Sequence, residues 1–274
     1  LGLSAFSGCL TLTSINVPGS IIILSNQVFE GCTGLTNATI SDGVIEIGEE
    51  AFGFCPCLAS VTIPDSVRTI GSGAFEFTAL THVIIPDGVT SVDWGAFYEC
   101  TNLTSVNLPD GLTSIAGDLF EGCTSLSDIT IPNMVTNIGD CAFAYCNSLT
   151  GVYFQGNASS VGSDAFSLDD RATVYYLPGT LGWSASFGGR PTALWVRPNP
   201  VILTSNPAFG AQNNGFGFIV SWATNASIVV EACSNLLKPA WLPLQTNALI
   251  NGTYQFSDPD RTHYPTRFYR VRAP

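Results

Sequence analysis

Charge is scarce in this 274-residue chain. Only 11% of its residues are Asp, Glu, Lys or Arg, against roughly a quarter in average proteins, and the single lysine is Lys238. Solubility therefore rests on Ser, Thr, Asn and Gly. Histidine is almost absent, with His82 and His263 far apart and neither beside a nucleophile in a recognisable motif. There is no Gly-x-Ser-x-Gly elbow and no phosphate-binding glycine loop, so the chain is read as a protein that is not an enzyme. Long apolar runs are missing too. An aliphatic run such as Ile21-Ile22-Ile23-Leu24 falls far short of the roughly 20 residues a membrane helix needs, so no membrane insertion is expected.

The charge that is present is unevenly placed. Residues 1–196 carry 18 acidic side chains against Arg68, Arg171 and Arg190, a balance of -15, while residues 197–274 carry three acidic against six basic side chains, a balance of +3. An acidic body repels phosphate backbones, which excludes nucleic acid as a partner of the first part.

What the chain has in abundance is one repeated phrase. Phenylalanines at positions 6, 29, 52, 75, 97, 120, 143 and 166 recur with a period of 23, broken by a single step of 22 between Phe75 and Phe97. Each unit reads Leu-x-x-Val-x-Ile-Pro-Asp-x-Val-x-x-Ile-Gly-x-x-Ala-Phe-x-x-Cys. A fixed period of this size means a solenoid, whose units bury their apolar faces only by stacking on neighbours. Apolar and polar residues alternate in Val61-Thr62-Ile63 and Ile129-Thr130-Ile131, which predicts one short strand per unit in a parallel sheet. Pro64, Pro86, Pro109 and Pro132 terminate those strands, and Val67-Arg68-Thr69-Ile70 predicts a second extended run on another side of the coil.

These residues resemble the BspA-like leucine-rich repeat family over about residues 1–195. The resemblance implies a mainly β, leucine-rich repeat solenoid and an extracellular or surface-anchored bacterial protein that adheres to proteins, host surfaces or other cells. It implies no catalytic residues and no cofactor. The segment Leu1 to Phe6 starts inside a repeat, which is read as a trimmed product and leaves the compartment to the family.

The pattern decays after Phe166, and Trp183, Phe187 and Trp195 are read as a cap over about residues 167–196, closing a first domain at residues 1–196. Arg197-Pro198-Asn199-Pro200 reads as a linker. Six short runs between Val201 and Val271 then predict a small C-terminal β-sandwich at residues 197–274. Phe268-Tyr269-Arg270-Val271-Arg272 and Trp222 are similar to fibronectin type III and Ig-like modules.

Cys9, Cys32, Cys55, Cys100, Cys123 and Cys146 share one repeat position, with Thr78 in the short unit. Parallel side chains in a ladder predict a file of buried free thiols, with Cys57 and Cys141 off the ladder as the candidates for a disulfide. No metal is expected, because Cys55-Pro56-Cys57 has no zinc spacing and Glu30, Glu76 and Glu121 read first as a solvated acidic edge.

The candidate ligand-binding face is the outward row of the predicted sheet, Asn16, Thr39, Thr62, Ile84, Asn107, Thr130 and Tyr153, together with His82 from the row that flanks it. Short hydroxyls and amides in register form a low-entropy hydrogen-bonding platform suited to a protein or carbohydrate ligand. The alternative is a structural subunit that joins other copies of itself head to tail, through Phe6 at the open first coil and Arg267, Arg270 and Arg272 at the basic end.

Overall fold

The computed structural model describes residues 2–204, 206–212, 215–264 and 266–274. The chain divides into two compact units: Leu1–Tyr153 with Ser159–Val174 and Ser184–Thr192, and Phe154–Ala158 with Tyr175–Trp183 and Ala193–Pro274. Leu1 itself lies outside the described residues.

The first unit is a β-solenoid. Each coil holds a strand of a first face followed by a two-residue strand of a second: β1 (Ser14–Val17) and β2 (Ile23–Leu24), β3 (Asn37–Ile40) and β4 (Glu46–Ile47), β5 (Ser60–Thr62) and β6 (Thr69–Ile70), β7 (His82–Ile84) and β8 (Ser91–Val92), β9 (Ser105–Asn107) and β10 (Ser114–Ile115), β11 (Asp128–Ile131) and β12 (Asn137–Ile138), β13 (Gly151–Phe154) and β14 (Ser160–Val161). The first-face strands pair in parallel as β1-β3-β5, β7-β9 and β11-β13, and the second-face strands as β2-β4-β6-β8 and β10-β12-β14. Both strand predictions hold, including the run at Val67–Ile70, which carries β6. Strands this short suffice because each finds its partners one coil away.

The third side of the coil is the corner that carries the phenylalanine. Here Phe29 N donates to Ala51 O at 2.9 Å, Phe52 N to Ala74 O at 2.9 Å and Phe97 N to Leu119 O at 3.1 Å, so the corner is hydrogen-bonded from coil to coil without being a strand. The rings point inward and form one continuous stack from Phe6 to Phe166, with centroids 5.3 to 5.7 Å apart and near-parallel planes. From Phe29 onward each ring is completely or almost completely buried. Each ring contributes about 1.5–3 kcal/mol by burial and about 0.5–1.5 kcal/mol more by ring-on-ring geometry. The stack ends on Phe187, which meets Phe166 edge-on at 6.3 Å. Phe187 lies on β16 (Ser186–Phe187), which pairs antiparallel with the Arg190 end of β17 (Arg190–Leu194).

Coils approach closely at the Ile-Gly step. A Cβ on Gly48 would lie 2.6 Å from Leu24 O and 2.8 Å from Asn26 N, so the backbone itself occupies the space a side chain needs.

Cysteines fill the slot beside the rings. Cys55 Sγ donates to Phe29 O at 3.2 Å, Cys123 to Phe97 O at 3.2 Å and Cys146 to Phe120 O at 3.1 Å. All nine cysteines are free thiols, Cys57 and Cys141 included.

The second unit contains Tyr176, Trp183 and Trp195. Trp183 stacks on Tyr176 at 5.0 Å and meets Phe154 edge-on at 4.9 Å. The end of β15 (Thr173–Tyr176) belongs to this unit, as do β18 (Val201–Leu203), β19 (Gly210–Gln212), β20 (Gly215–Ser221), β21 (Ser227–Cys233), β22 (Leu242–Ala248), β23 (Thr253–Asp258), a 3-10 turn at Pro259–His263 and β24 (Phe268–Arg272). Strand β20 pairs antiparallel with β18, β19 and β23, and β21 with β22 and β24. Phe218, Val220 and Phe256 of one sheet meet Ile228 and Val230 of the other in a single core. Strand β19 lies outside the six predicted runs, because Gly210-Ala211-Gln212 carries no apolar alternation.

Candidate functional site

The first face brings the predicted row together. Register pairs Asn16 with Thr39 and Thr39 with Thr62, and further along pairs Ile84 with Asn107. A parallel row beside it pairs Ser14 with Asn37, Asn37 with Ser60, and His82 with Ser105. His82 thus belongs to the flanking row, and its Nδ1 lies 3.2 Å from Thr81 Oγ1. Asn16, Thr62, Asn107 and Thr130 are exposed or nearly so, while Thr39 and Tyr153 are half-buried.

Alternation explains the placement: Val83, Val106 and Ile129 turn inward, so their neighbours must face water. The hydroxyls just before the strands serve the fold instead, as Thr36 and Thr104 donate to Thr13 O at 2.9 Å and Thr81 O at 2.8 Å. In the row itself Asn16 Oδ1 accepts from Ser41 Oγ at 3.2 Å. Among the described residues the side chains of Thr39, Thr62, Asn107 and Thr130 make no hydrogen bond within the chain.

The row is not uniform. Pairing stops between β5 and β7, where the shortened unit falls, and again between β9 and β11. At the first interruption Thr62, Asp65, His82, Ile84 and Pro86 line a depression of about 310 Å³. Ile84, 66% exposed, stands where most coils carry Thr or Asn.

A second exposed surface lies on the corner. The segments 26–31, 49–54, 72–77, 94–99, 117–122, 140–145 and 163–168 hold Glu30, Glu49, Glu50, Glu76, Glu99, Asp118, Glu121, Asp140 and Asp164, and no lysine or arginine. Gln27 Nε2 donates to Glu50 Oε2 at 2.8 Å. Burial first, then the neighbouring Glu50 and Glu30 charges, push the Glu76 carboxyl up to about 7. Burial followed by Asp118 and Glu99 raises Glu121, and burial followed by Asp140 raises Asp118. Between these carboxylates stand Phe54 and Phe77, whose rings stack at 4.9 Å, and Tyr98, edge-on to Phe77 at 5.4 Å. The acidic edge is legible in the sequence through Glu30, Glu76 and Glu121, whereas these aromatics are not among the predicted site residues. The available signal was Phe54 and Phe77 standing where other units have Gly8, Gly31 and Gly122.

The residues expected at an assembly interface are placed as follows. Phe6 is 40% exposed on one face and stacks on Phe29 with the other. Arg270 and Arg272 hold Glu231 at 2.6 and 3.0 Å, and Arg267 holds Asp258 at 3.1 Å. Arg270 also lies over the Trp241 ring, 4.5 Å from its centroid.

A parallel two-faced coil with an inward leucine, phenylalanine and cysteine in each turn defines a leucine-rich repeat solenoid. Residues 1–127 and 68–181 match the model of the BspA type Leucine rich repeat region (6 copies), and the chain belongs to that family. A leucine-rich repeat protein from Bacteroides ovatus ATCC 8483 is similar, at 26% identity and TM-score 0.51, over 64% of this chain and 58% of that one. The T. pallidum leucine-rich repeat protein is similar at 26% identity and TM-score 0.56, over 59% of this chain and 78% of that one. This chain therefore spans little more than half of the B. ovatus protein. No curated protein matches it. Among the described residues no helix is long and apolar enough to cross a membrane.

Proposed function

We propose that the chain is a non-enzymatic binding protein of the bacterial surface or exterior, using the first face of the solenoid to hold a protein or carbohydrate ligand. The observation that carries this reading is the outward placement of Thr39, Thr62, Asn107 and Thr130, the first two in direct register, with side-chain hydrogen-bonding groups that are not spent among the described residues. A row of short side chains loses little entropy on contact, so its hydrogen bonds go to binding. The depression at His82 and Ile84 is mixed in character, with the exposed Ile84 as its apolar contact and Thr62, Asp65 and His82 as its polar ones. Family membership supports an exposed, ligand-holding role.

The test is a glycan and protein array probed with the whole chain and with Thr62→Lys/Asn107→Lys/Thr130→Lys. Hits that the triple variant loses while keeping its melting temperature support the face. Hits retained in full remove it.

Assembly through Phe6, Arg267, Arg270 and Arg272 is the less supported reading, because the guanidiniums already pair with Glu231 and Asp258. Light scattering at high protein concentration and low salt separates the two: particles growing with concentration favour assembly, and a constant monomer mass favours ligand binding alone.

A further inference from the structure

The residue two places after each stacked phenylalanine adopts a left-handed backbone in every coil. Gly8, Gly31 and Gly122 do so with φ of 68°, 65° and 73°, whereas Phe54 and Phe77 do so with φ of 55° and 51°. Glycine takes this conformation freely; a residue with a Cβ is strained there, and a bulky one is uncommon. Glu99, Tyr145 and Leu168 share the position and the strain, but only Phe54 and Phe77 place aromatic rings there in adjacent coils. The strain is not repaid by burial, since Phe54 and Phe77 are 43% and 38% exposed. Two neighbouring coils thus hold aromatic rings in water, stacked on each other, at a position that three other coils fill with glycine. Other coils share the backbone conformation, so what sets these two apart is the exposed, stacked aromatic pair.

The surroundings select the occupant. Phe77, Pro56, Thr78, Ala79 and Glu99 line a depression of about 250 Å³ beside the rings. The corner has many carboxylates and no cation of its own, and Glu76 is crowded by Glu50 and Glu30. An anionic lipid or nucleic acid is repelled by this surface, whereas a cation relieves its repulsion.

We propose that the corner strip of Phe54, Phe77 and Tyr98, edged by Glu50, Glu76 and Glu99, docks an extended, arginine-bearing segment of a partner protein. A guanidinium stacks flat on an aromatic face while its edge pairs with a carboxylate, which an ammonium does less well. This surface lies on a different segment of each coil from the Thr and Asn row, so it stands apart from the ligand face proposed above.

The experiment uses the full chain and two labelled eight-residue peptides, one alternating Arg with Ser and one alternating Lys with Ser, followed by fluorescence anisotropy at low salt. The arginine peptide is expected to bind more tightly than the lysine peptide. Phe54→Gly/Phe77→Gly installs the residue that three other coils use, so it should melt no lower than the parent while binding about tenfold more weakly. At pH 8, where Glu76 is mostly ionised, Glu50→Gln/Glu76→Gln should weaken binding similarly, and Asp87→Asn/Asp110→Asn, which removes the same number of carboxylates in the turns, should alter it less than about twofold. Unchanged binding by the glycine variant, or equal losses in both charge variants, would reduce the interaction to attraction by net charge and overturn the proposal. Absence of binding to the parent chain overturns it as well.

Discussion

The carboxyl of Asp169 occupies the slot that the Cys146 thiol fills one coil earlier, three places after the stacked phenylalanine in both. Cys146 donates its S–H to Phe120 O, but an ionised carboxylate has nothing to donate. Asp169 is 1% exposed and neither of its oxygens makes a well-aligned hydrogen bond. Burial pushes its carboxyl up to about 7, against the opposing pulls of Arg190, whose Nη1 is held by Asp170 at 2.9 Å, and of the nearby Cys146 backbone amide.

Replacing this residue by the one most other coils use, Asp169→Cys, is expected to stabilise the solenoid. At pH 8 the gain should be about 1–3 kcal/mol, the cost of a buried polar group without a well-aligned partner. The folded pKa is raised above the unfolded value of 3.8, so the Asp169 contribution is most favourable below about 3.8 and is lost as pH rises through about 7. The gain should therefore shrink towards pH 4. Denaturant melts at pH 4, 6 and 8 check it, and a gain that does not change with pH would contradict the assignment.

Glu76 follows the same sign. Its carboxyl is raised to about 7 by burial and by Glu50 and Glu30, so Glu76→Gln should raise the melting temperature above pH 7 and leave it nearly unchanged below pH 4.5. Thermal melts across that range decide.

Thiol accessibility should divide cleanly. Cys9, Cys57 and Cys141 are exposed or half-exposed, whereas Cys32, Cys55, Cys100, Cys123, Cys146 and Cys233 are buried. Burial also pushes the Cys55 thiol up to about 12 and Cys100 to about 11, which leaves little thiolate. A thiol reagent at pH 8 is expected to label the first three on the folded chain and the rest only in denaturant, as peptide mapping by mass spectrometry would reveal.

The ring stack predicts a gradient along the solenoid. Phe97→Ala removes a fully buried ring with neighbours on both sides and should cost about 3–5 kcal/mol. Phe6→Ala, with one ring neighbour and 40% exposure, should cost clearly less. Equal losses by urea unfolding would mean that the stack is not the main source of cohesion.

Most of the solenoid was legible in the chain because its rules are local and repeated. Alternation around Thr62, Asn107 and Thr130 placed them outward, and the spacing of the cysteines placed their thiols in one file. The Asp169 slot was arithmetically visible too, but the fading of the motif after Phe166 hid it. Arg270 and Arg272 read as free positive charge, because Glu231 stands far from them in sequence and meets them only through the β21–β24 pairing. Phe54 and Phe77 left only the trace of standing at a glycine position of the repeat, because a phenylalanine in an apolar-rich unit reads as core until the backbone turns it outward.

By itself the sequence determined the period, the two extended runs of each coil and the inward ladder of leucine, phenylalanine and cysteine, because a unit this short buries its apolar side chains only against copies of itself. Tertiary structure alone decided where pairing of the first face breaks, which guanidiniums are neutralised and which aromatics reach water. Those outcomes depend on contacts between residues remote in sequence and on the sign of φ at single positions, and neither is written in a pattern of apolar and polar letters.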